Sequence, residues 1–152
     1  MPELPQNLPK EGQKLPDLRF TTEDDGELAI TDLAGTTVLY FYPKDDSPGC
    51  TKEACAFRDR MEDYRGRGIQ VYGVSTDSPE SHREFRDKHG LNFPLLTDEN
   101  GEAAVELGVL KEGGVARRVT FLLGGAKVEK VYPEVSPETH ADEILVNVSS
   151  PY

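Results

Sequence analysis

The sequence predicts an α/β fold: a central mixed β-sheet flanked by helices on both faces, with a β-hairpin near the N-terminus. Three observations carry this reading. Two short apolar runs, TVLYFY (37–42) and IQVYGVS (69–75), have the composition of strands covered on both faces. The stretches between such runs open with helix start signals. Two further β-rich runs, 118–123 and 127–132, are separated by Gly124-Gly125, which reads as a hairpin.

The elements follow in order. Residues 1–16 carry Pro2, Pro5, Pro9 and Pro16 among polar residues and read as an extended arm. They lack the apolar middle of a secretory signal, so a cytoplasmic protein is expected. Residues 18–21 and 27–30 form a strand pair around an Asp24-Asp25-Gly26 turn. Ser78-Pro79-Glu80 and Ser136-Pro137-Glu138 share one helix-opening logic: a hydroxyl to cap, a proline in the first helical position, then an acid favoured by the helix dipole. The second of these helices presents Ala141, Ile144, Leu145 and Val148 on one face. A short helix is expected near 102–107. No repeat or linker divides the 152 residues, so a single domain over 1–152 is expected.

Composition narrows the function. Acids outnumber bases 28 to 17, for a net charge of −11. Nucleic acid and anionic membrane surfaces are therefore poor partners. There are two cysteines, five positions apart, which is too few for a disulfide framework. In a reducing cytosol a close pair points instead to catalysis, redox sensing or metal binding.

The chemistry gathers between residues 42 and 64. Ser47 fits a helix N-cap and Pro48 the first helical position, which places Cys50 in the first turn. Ala54, Phe57, Met61 and Tyr64 follow Cys50 at helical spacing, so one stripe runs from the cysteine into the core. A helix N-terminus favours a thiolate, the nucleophilic form of cysteine. The same residue type also serves as a small buried hydrophobe. Five helical residues rise ~7.5 Å and turn ~140°, which sets the Cα atoms of Cys50 and Cys55 ~8.7 Å apart. A disulfide needs ~7 Å or less, so the pair cannot bond while the helix is intact. Cys55 is then either an inert helical thiol or a partner reached by local unfolding, and the spacing does not choose. A zinc site using His82, His89 or His140 has no matched ligand pair in the sequence. His82, Phe85 and His89 share a helix face and read as edge-of-core residues.

Pro43-x-x-x-Ser47-x-x-Cys50 resembles the Pro-x-x-x-Thr/Ser-x-x-Cys motif of peroxiredoxins. The continuation Cys50-Thr-Lys-Glu-Ala-Cys55-x-Phe57-Arg58-Asp59 is similar to the bacterioferritin comigratory protein, or PrxQ, subgroup. Further matching stretches begin at Gly12, Tyr40, Gly73, Asn92 and Arg118, in family order.

The resemblance implies a thioredoxin-like fold and a thiol peroxidase needing no metal, haem or flavin. Carried over residue by residue, it implies that Cys50 is the peroxidatic cysteine and Cys55 the resolving one. Ser47 would hydrogen-bond the peroxide, Pro43 would shield the site, and Arg118 would favour the thiolate and orient the peroxide. Glu53 matches a recurrent glutamate whose role is open. Ser47 stands where threonine is commoner, and Gly124-Gly125 replaces the family's Asp-x-x-Gly turn. The implied partners are peroxides and thioredoxin or a similar dithiol, with the protein acting as a monomer. The alternative is a redox-sensing module whose cysteine pair switches without turnover.

Overall fold

In a computed structural model, described here over residues 8–111 and 113–147, nine strands and five helices follow one another. Strands β1 (Arg19–Thr21), β2 (Glu27–Ala29), β3 (Thr36–Phe41), β4 (Ile69–Ser75), β5 (Leu95–Thr97), β8 (Val119–Gly124) and β9 (Lys127–Tyr132) form one mixed sheet in the order β2-β1-β5-β4-β3-β8-β9. Strands β6 (Leu110–Lys111) and β7 (Val115–Ala116) pair separately. The helices are α1 (Pro48–Asp59), α2 (Met61–Gly66), α3 (Pro79–His89), α4 (Glu102–Glu106) and α5 (His140–Asn147).

Strand β3 sits inside the sheet, between β4 and β8, because it can be covered on both sides. Val38, Tyr40 and Tyr42 point into one apolar cluster, where they meet Cys50, Ala54, Phe57, Met61 and Tyr64. Leu39 and Phe41 point into the other, with Phe20, Ile30, Ala104 and Phe121. The alternation is the period of two that a strand imposes. On the first face Phe57 stacks on Tyr40 at 4.7 Å between ring centroids, and Tyr40 in turn lies 5.5 Å from Tyr42. Aromatic contacts of this kind fix α1 over β3. The described part of the N-terminal arm lies against β9: Gly12 N–H donates to Val128 O and Leu15 N–H to Ala126 O. Residues 1–7 of the expected arm lie outside the described residues, as does Val148.

The architecture is the expected mixed sheet with helices on both faces, and several boundaries differ. The stripe from Cys50 to Tyr64 is carried by two helices rather than one. Arg60 leaves helical geometry (φ −110°, ψ 6°) and its N–H turns to Phe57 O, a tightened last turn that ends α1. All five stripe residues are buried nonetheless. Helix α5 begins at His140, four residues after Ser136, because residues 136–139 form a turn in which Thr139 and His140 N–H both bond Ser136 O. Gly124 belongs to β8, and the hairpin loop is Gly125-Ala126, with Gly125 at φ +60°. Ile30 leaves β2 for a 3-10 turn. Ser78 caps α3 as its sequence required, accepting from Ser81 N–H.

Gly73, midway along β4, shows how closely the two central strands pack. A Cβ there would lie 2.8 Å from Tyr40 Cζ and 2.9 Å from a Leu95 methyl. Gly73→Ala should therefore destabilise the fold by about 1–3 kcal/mol through overpacking, read as a lower denaturant midpoint with an unchanged slope.

Candidate active site

The sheet register assembles the site. β8 runs antiparallel to β3, with Val119 opposite Phe41. Arg118, the residue before Val119, therefore stands beside the C-terminal end of β3, where the chain leaves the sheet for α1. Ligands of open α/β sheets bind at such ends. Antiparallel pairing thus brings together two residues 68 positions apart, Cys50 and Arg118.

Cys50 occupies the third position of α1 and is 1% exposed. Arg118 Nη2 donates to Cys50 Sγ at 3.3 Å, and Arg118 Nη1 donates to Glu53 Oε1 at 2.6 Å. One guanidinium is thus divided between the sulfur and a carboxylate one helical turn away. The fork geometry of arginine allows this, whereas a lysine ammonium lacks the rigid spread of donors. Gly49 leaves the space for it, since a Cβ there would lie 3.0 Å from Arg118 Nη2. The turn before α5 closes the other side, with Pro137 Cγ 3.8 Å from the same point and Lys52 Nζ on Glu138 Oε1 at 3.0 Å.

Glu53 is fully buried. Burial pushes its carboxyl up to about 7, against the pull of Arg118 in the opposite direction. Its Oε2 has no hydrogen-bond partner among the described residues, nor has the buried Tyr40 hydroxyl. Among the contacts described, the Arg118 guanidinium is what favours the charged form against that burial.

The other expected residues are less directly placed. Ser47 has the extended backbone of an N-cap, yet its hydroxyl donates to Lys44 O at 2.9 Å and does not cap the helix. Pro43 lies half-buried just beyond Tyr42, at the start of the loop. Cys55 is partly exposed, in the same continuous helix as Cys50, and both thiols are free.

Two polar clusters have no counterpart in the sequence reading. His82, expected at the edge of the core, is wholly buried, where its Nδ1 meets Asp45 Oδ2 at 2.7 Å. His140 is wholly buried too: its Nε2 meets Thr120 Oγ1 at 2.7 Å and its Nδ1 meets Glu143 Oε1 at 2.9 Å. Asp45 and Thr120 lie 37 and 20 positions from their histidines, so no local pattern could have announced them, whereas Glu143 is a same-helix neighbour three positions from His140. Among the described residues no group of three or more His, Cys, Asp or Glu is arranged to hold a metal ion, and no helix is long and apolar enough to cross a membrane.

Comparison with known proteins agrees with this geometry. Residues 11–131 match the AhpC/TSA family. The putative peroxiredoxin bcp of Coxiella burnetii is 40% identical over 88% of this chain and 95% of its own length. Peroxiredoxin Bcp of Escherichia coli is 36% identical over 90% and 93%. Among solved structures, peroxidoxin BcpB of Mycobacterium tuberculosis superposes with a TM-score of 0.83 at 32% identity, covering 91% of this chain and 95% of its own. The Xanthomonas campestris bacterioferritin comigratory protein, studied for alkyl peroxide reduction, gives 0.80 at 31% identity over 86% and 88%.

Glu53 yields a test with opposite effects on stability and activity. A carboxyl with a raised pKa holds its proton more tightly in the fold than in the unfolded chain. Its contribution to stability is complete below the ordinary glutamate value and is lost as pH rises through about 7. Glu53→Gln cannot lose that proton. Its Tm relative to the parent should therefore be higher at pH 8 than at pH 5, with about 2–4 °C for each kcal/mol of linkage. Peroxide reduction at pH 8 should be slower in the same variant, because Arg118 loses its anionic partner.

Proposed function

Because this chain belongs to the AhpC/TSA family, among the Bcp/PrxQ peroxiredoxins, and is a thiol peroxidase, we propose that Cys50 is its peroxidatic cysteine and Cys55 the thiol that resolves it. The observation that carries this assignment is the Arg118 guanidinium within hydrogen-bond distance of Cys50 Sγ, in the first turn of α1. A cation and a helix N-terminus on one sulfur both favour the thiolate.

The cycle follows from those positions. The Cys50 thiolate attacks one peroxide oxygen, the O–O bond breaks, and the sulfur becomes a sulfenic acid while the other oxygen leaves as hydroxide or alkoxide. Arg118 lies where it offsets the charge moving from sulfur to that leaving oxygen. Ser47, whose hydroxyl can turn from Lys44 O, is the second donor for the peroxide, and Pro43 screens the loop from water. Cys55 then condenses with the sulfenic acid, releasing water and forming a disulfide. A dithiol, thioredoxin or one like it, returns both thiols by exchange. The substrates are hydrogen peroxide and organic hydroperoxides, and the protein works as a monomer in the cytoplasm. The peroxiredoxin relatives favour this reading over a sensor that switches without turnover, because a sensor thiol would gain equally from a neighbouring cation.

Resolution requires motion. Both cysteines lie in α1, which is continuous from Pro48 to Asp59, and ~8.7 Å between their Cα atoms is beyond disulfide reach. The first turns must unwind, while Phe57, held between Tyr40 and Tyr64, anchors the remainder.

Two experiments test these assignments. Cys50→Ser should abolish peroxide reduction, and Cys55→Ser should still give one round of oxidation to sulfenic acid. Arg118→Ala should slow that oxidation by a factor of about 100 or more, the loss expected for a transition-state donor, with Arg117→Ala much milder. The second experiment concerns unwinding. Gly49→Ala is unsuited because its methyl would press on Arg118. Thr51→Ala favours the helix by about 0.5 kcal/mol. It should slow disulfide formation about two- to threefold and raise the sulfinic acid yield, read by mass spectrometry. Amide exchange over 48–56 should quicken on oxidation while β3 stays protected.

A further inference from the structure

The loop that delivers Cys50 is held from its far side by polar groups that touch neither the sulfur nor Arg118. Residues 42–47 have no regular structure, and Asp46 takes a left-handed conformation (φ +58°), uncommon for a non-glycine residue though commoner for aspartate, which its surroundings here enforce. Asp45 supplies much of that enforcement. Its carboxylate is buried, accepts the Tyr42 hydroxyl on Oδ1 at 2.6 Å and the Ser81 hydroxyl on Oδ2 at 2.8 Å, and meets His82 Nδ1 at 2.7 Å. The Asp45 N–H donates to Asp77 Oδ2 at 2.8 Å. The next residue makes a second tie, for Asp46 accepts from Lys88 Nζ at 2.6 Å and meets His89 Nε2 at 2.9 Å. Ser81, His82, Lys88 and His89 all belong to α3.

The proton inventory of the buried pair is fixed by its neighbours. His82 Nε2 faces Leu96 O at 3.0 Å, and a carbonyl only accepts, so Nε2 carries a hydrogen. A second hydrogen must lie between Nδ1 and Asp45 Oδ2, since two bare acceptors would not approach so closely. The pair is thus neutral as a unit and directional. Buried pairs of this kind seldom stabilise a fold more than apolar residues of similar volume would. What this pair offers instead is a defined position for the loop.

We propose that Asp45 and His82 are positioning residues for Cys50: their buried hydrogen-bonded pair, with Asp46 as a second tie, fixes residues 43–47 to α3 so that the thiol meets Arg118 before a peroxide arrives. The inference rests on the assignment of Cys50 as the attacking cysteine. All the ties lie before Pro48, where α1 begins, so α1 can unwind without breaking any of them. Loss of a tie therefore affects the attack on peroxide and spares disulfide formation.

The two steps are measured separately by stopped flow: hydrogen peroxide oxidising Cys50 in the Cys55→Ser background, and disulfide formation with Cys55 present. Asp45→Ala should slow the first about tenfold or more, the scale expected when a reacting group is misplaced, and leave the second within twofold or faster. Asp45→Asn should remain within threefold of the parent in both, because its amide still accepts from Tyr42 and can donate to His82 Nδ1. If Asp45→Ala does not fold, Ser81→Ala and Asp46→Ala, each losing one tie, should each slow the first step about threefold. Oxidation at the parent rate in Asp45→Ala, or in both substitutes, overturns the proposal. So does an Asp45→Asn as slow as Asp45→Ala, or an equal slowing of both steps, the mark of general destabilisation. Absence of Cys50 oxidation in the parent would overturn the assignment of Cys50 as well.

Discussion

One guanidinium divided between a sulfur and a buried carboxylate organises this molecule. Arg118 is long and flexible, and a long side chain at the end of a strand would ordinarily sample many rotamers. Glu53 removes that freedom, holding one nitrogen at 2.6 Å so that the other is left on Cys50. The arrangement has a cost, since a carboxyl with one oxygen unpartnered among the described residues is kept wholly buried. Much else follows from the need to bring these groups together: the antiparallel register of β3 and β8, the glycine at 49, and the stacking of Phe57 on Tyr40 that seats the helix.

The legible and illegible parts of the sequence divide along a physical line. Features dictated within a few residues could be read directly: β4 over 69–75, the Ser78 cap, Cys50 in a first turn. The core stripe was legible as a pattern, because burial repeats with the helical period, although the break at Arg60 was not. Nothing in that side chain demands a break, and the tightened turn there is a backbone event. Arg118 lay beyond local reasoning altogether. Only its family motif singled it out, because what makes it special is a neighbour 68 positions away.

The buried histidines show the same limit from the other side. A lone histidine on a helix face looks like an edge residue, and His89 is indeed partly exposed. His82 and His140 have no exposed surface, because Asp45, Leu96 and Thr120 from other elements, with Glu143 from the same helix as His140, satisfy their ring nitrogens. Burial of a polar ring depends on partners that the fold supplies, and no composition rule anticipates them.

The missing side chain at Gly49 has a consequence for anyone seeking to make this protein more heat-resistant. Glycine costs a helix about 1 kcal/mol relative to alanine, so replacing it would be an obvious choice among stabilising substitutions. Here the methyl would intrude on Arg118 Nη2, 3.0 Å away. The same vacancy that admits the guanidinium also leaves the start of α1 easier to melt, which the proposed pairing of Cys50 with Cys55 requires. On that proposal, thermal robustness at this end of the helix and turnover are opposed through the absence of one carbon atom, so hardening is better sought elsewhere in the molecule.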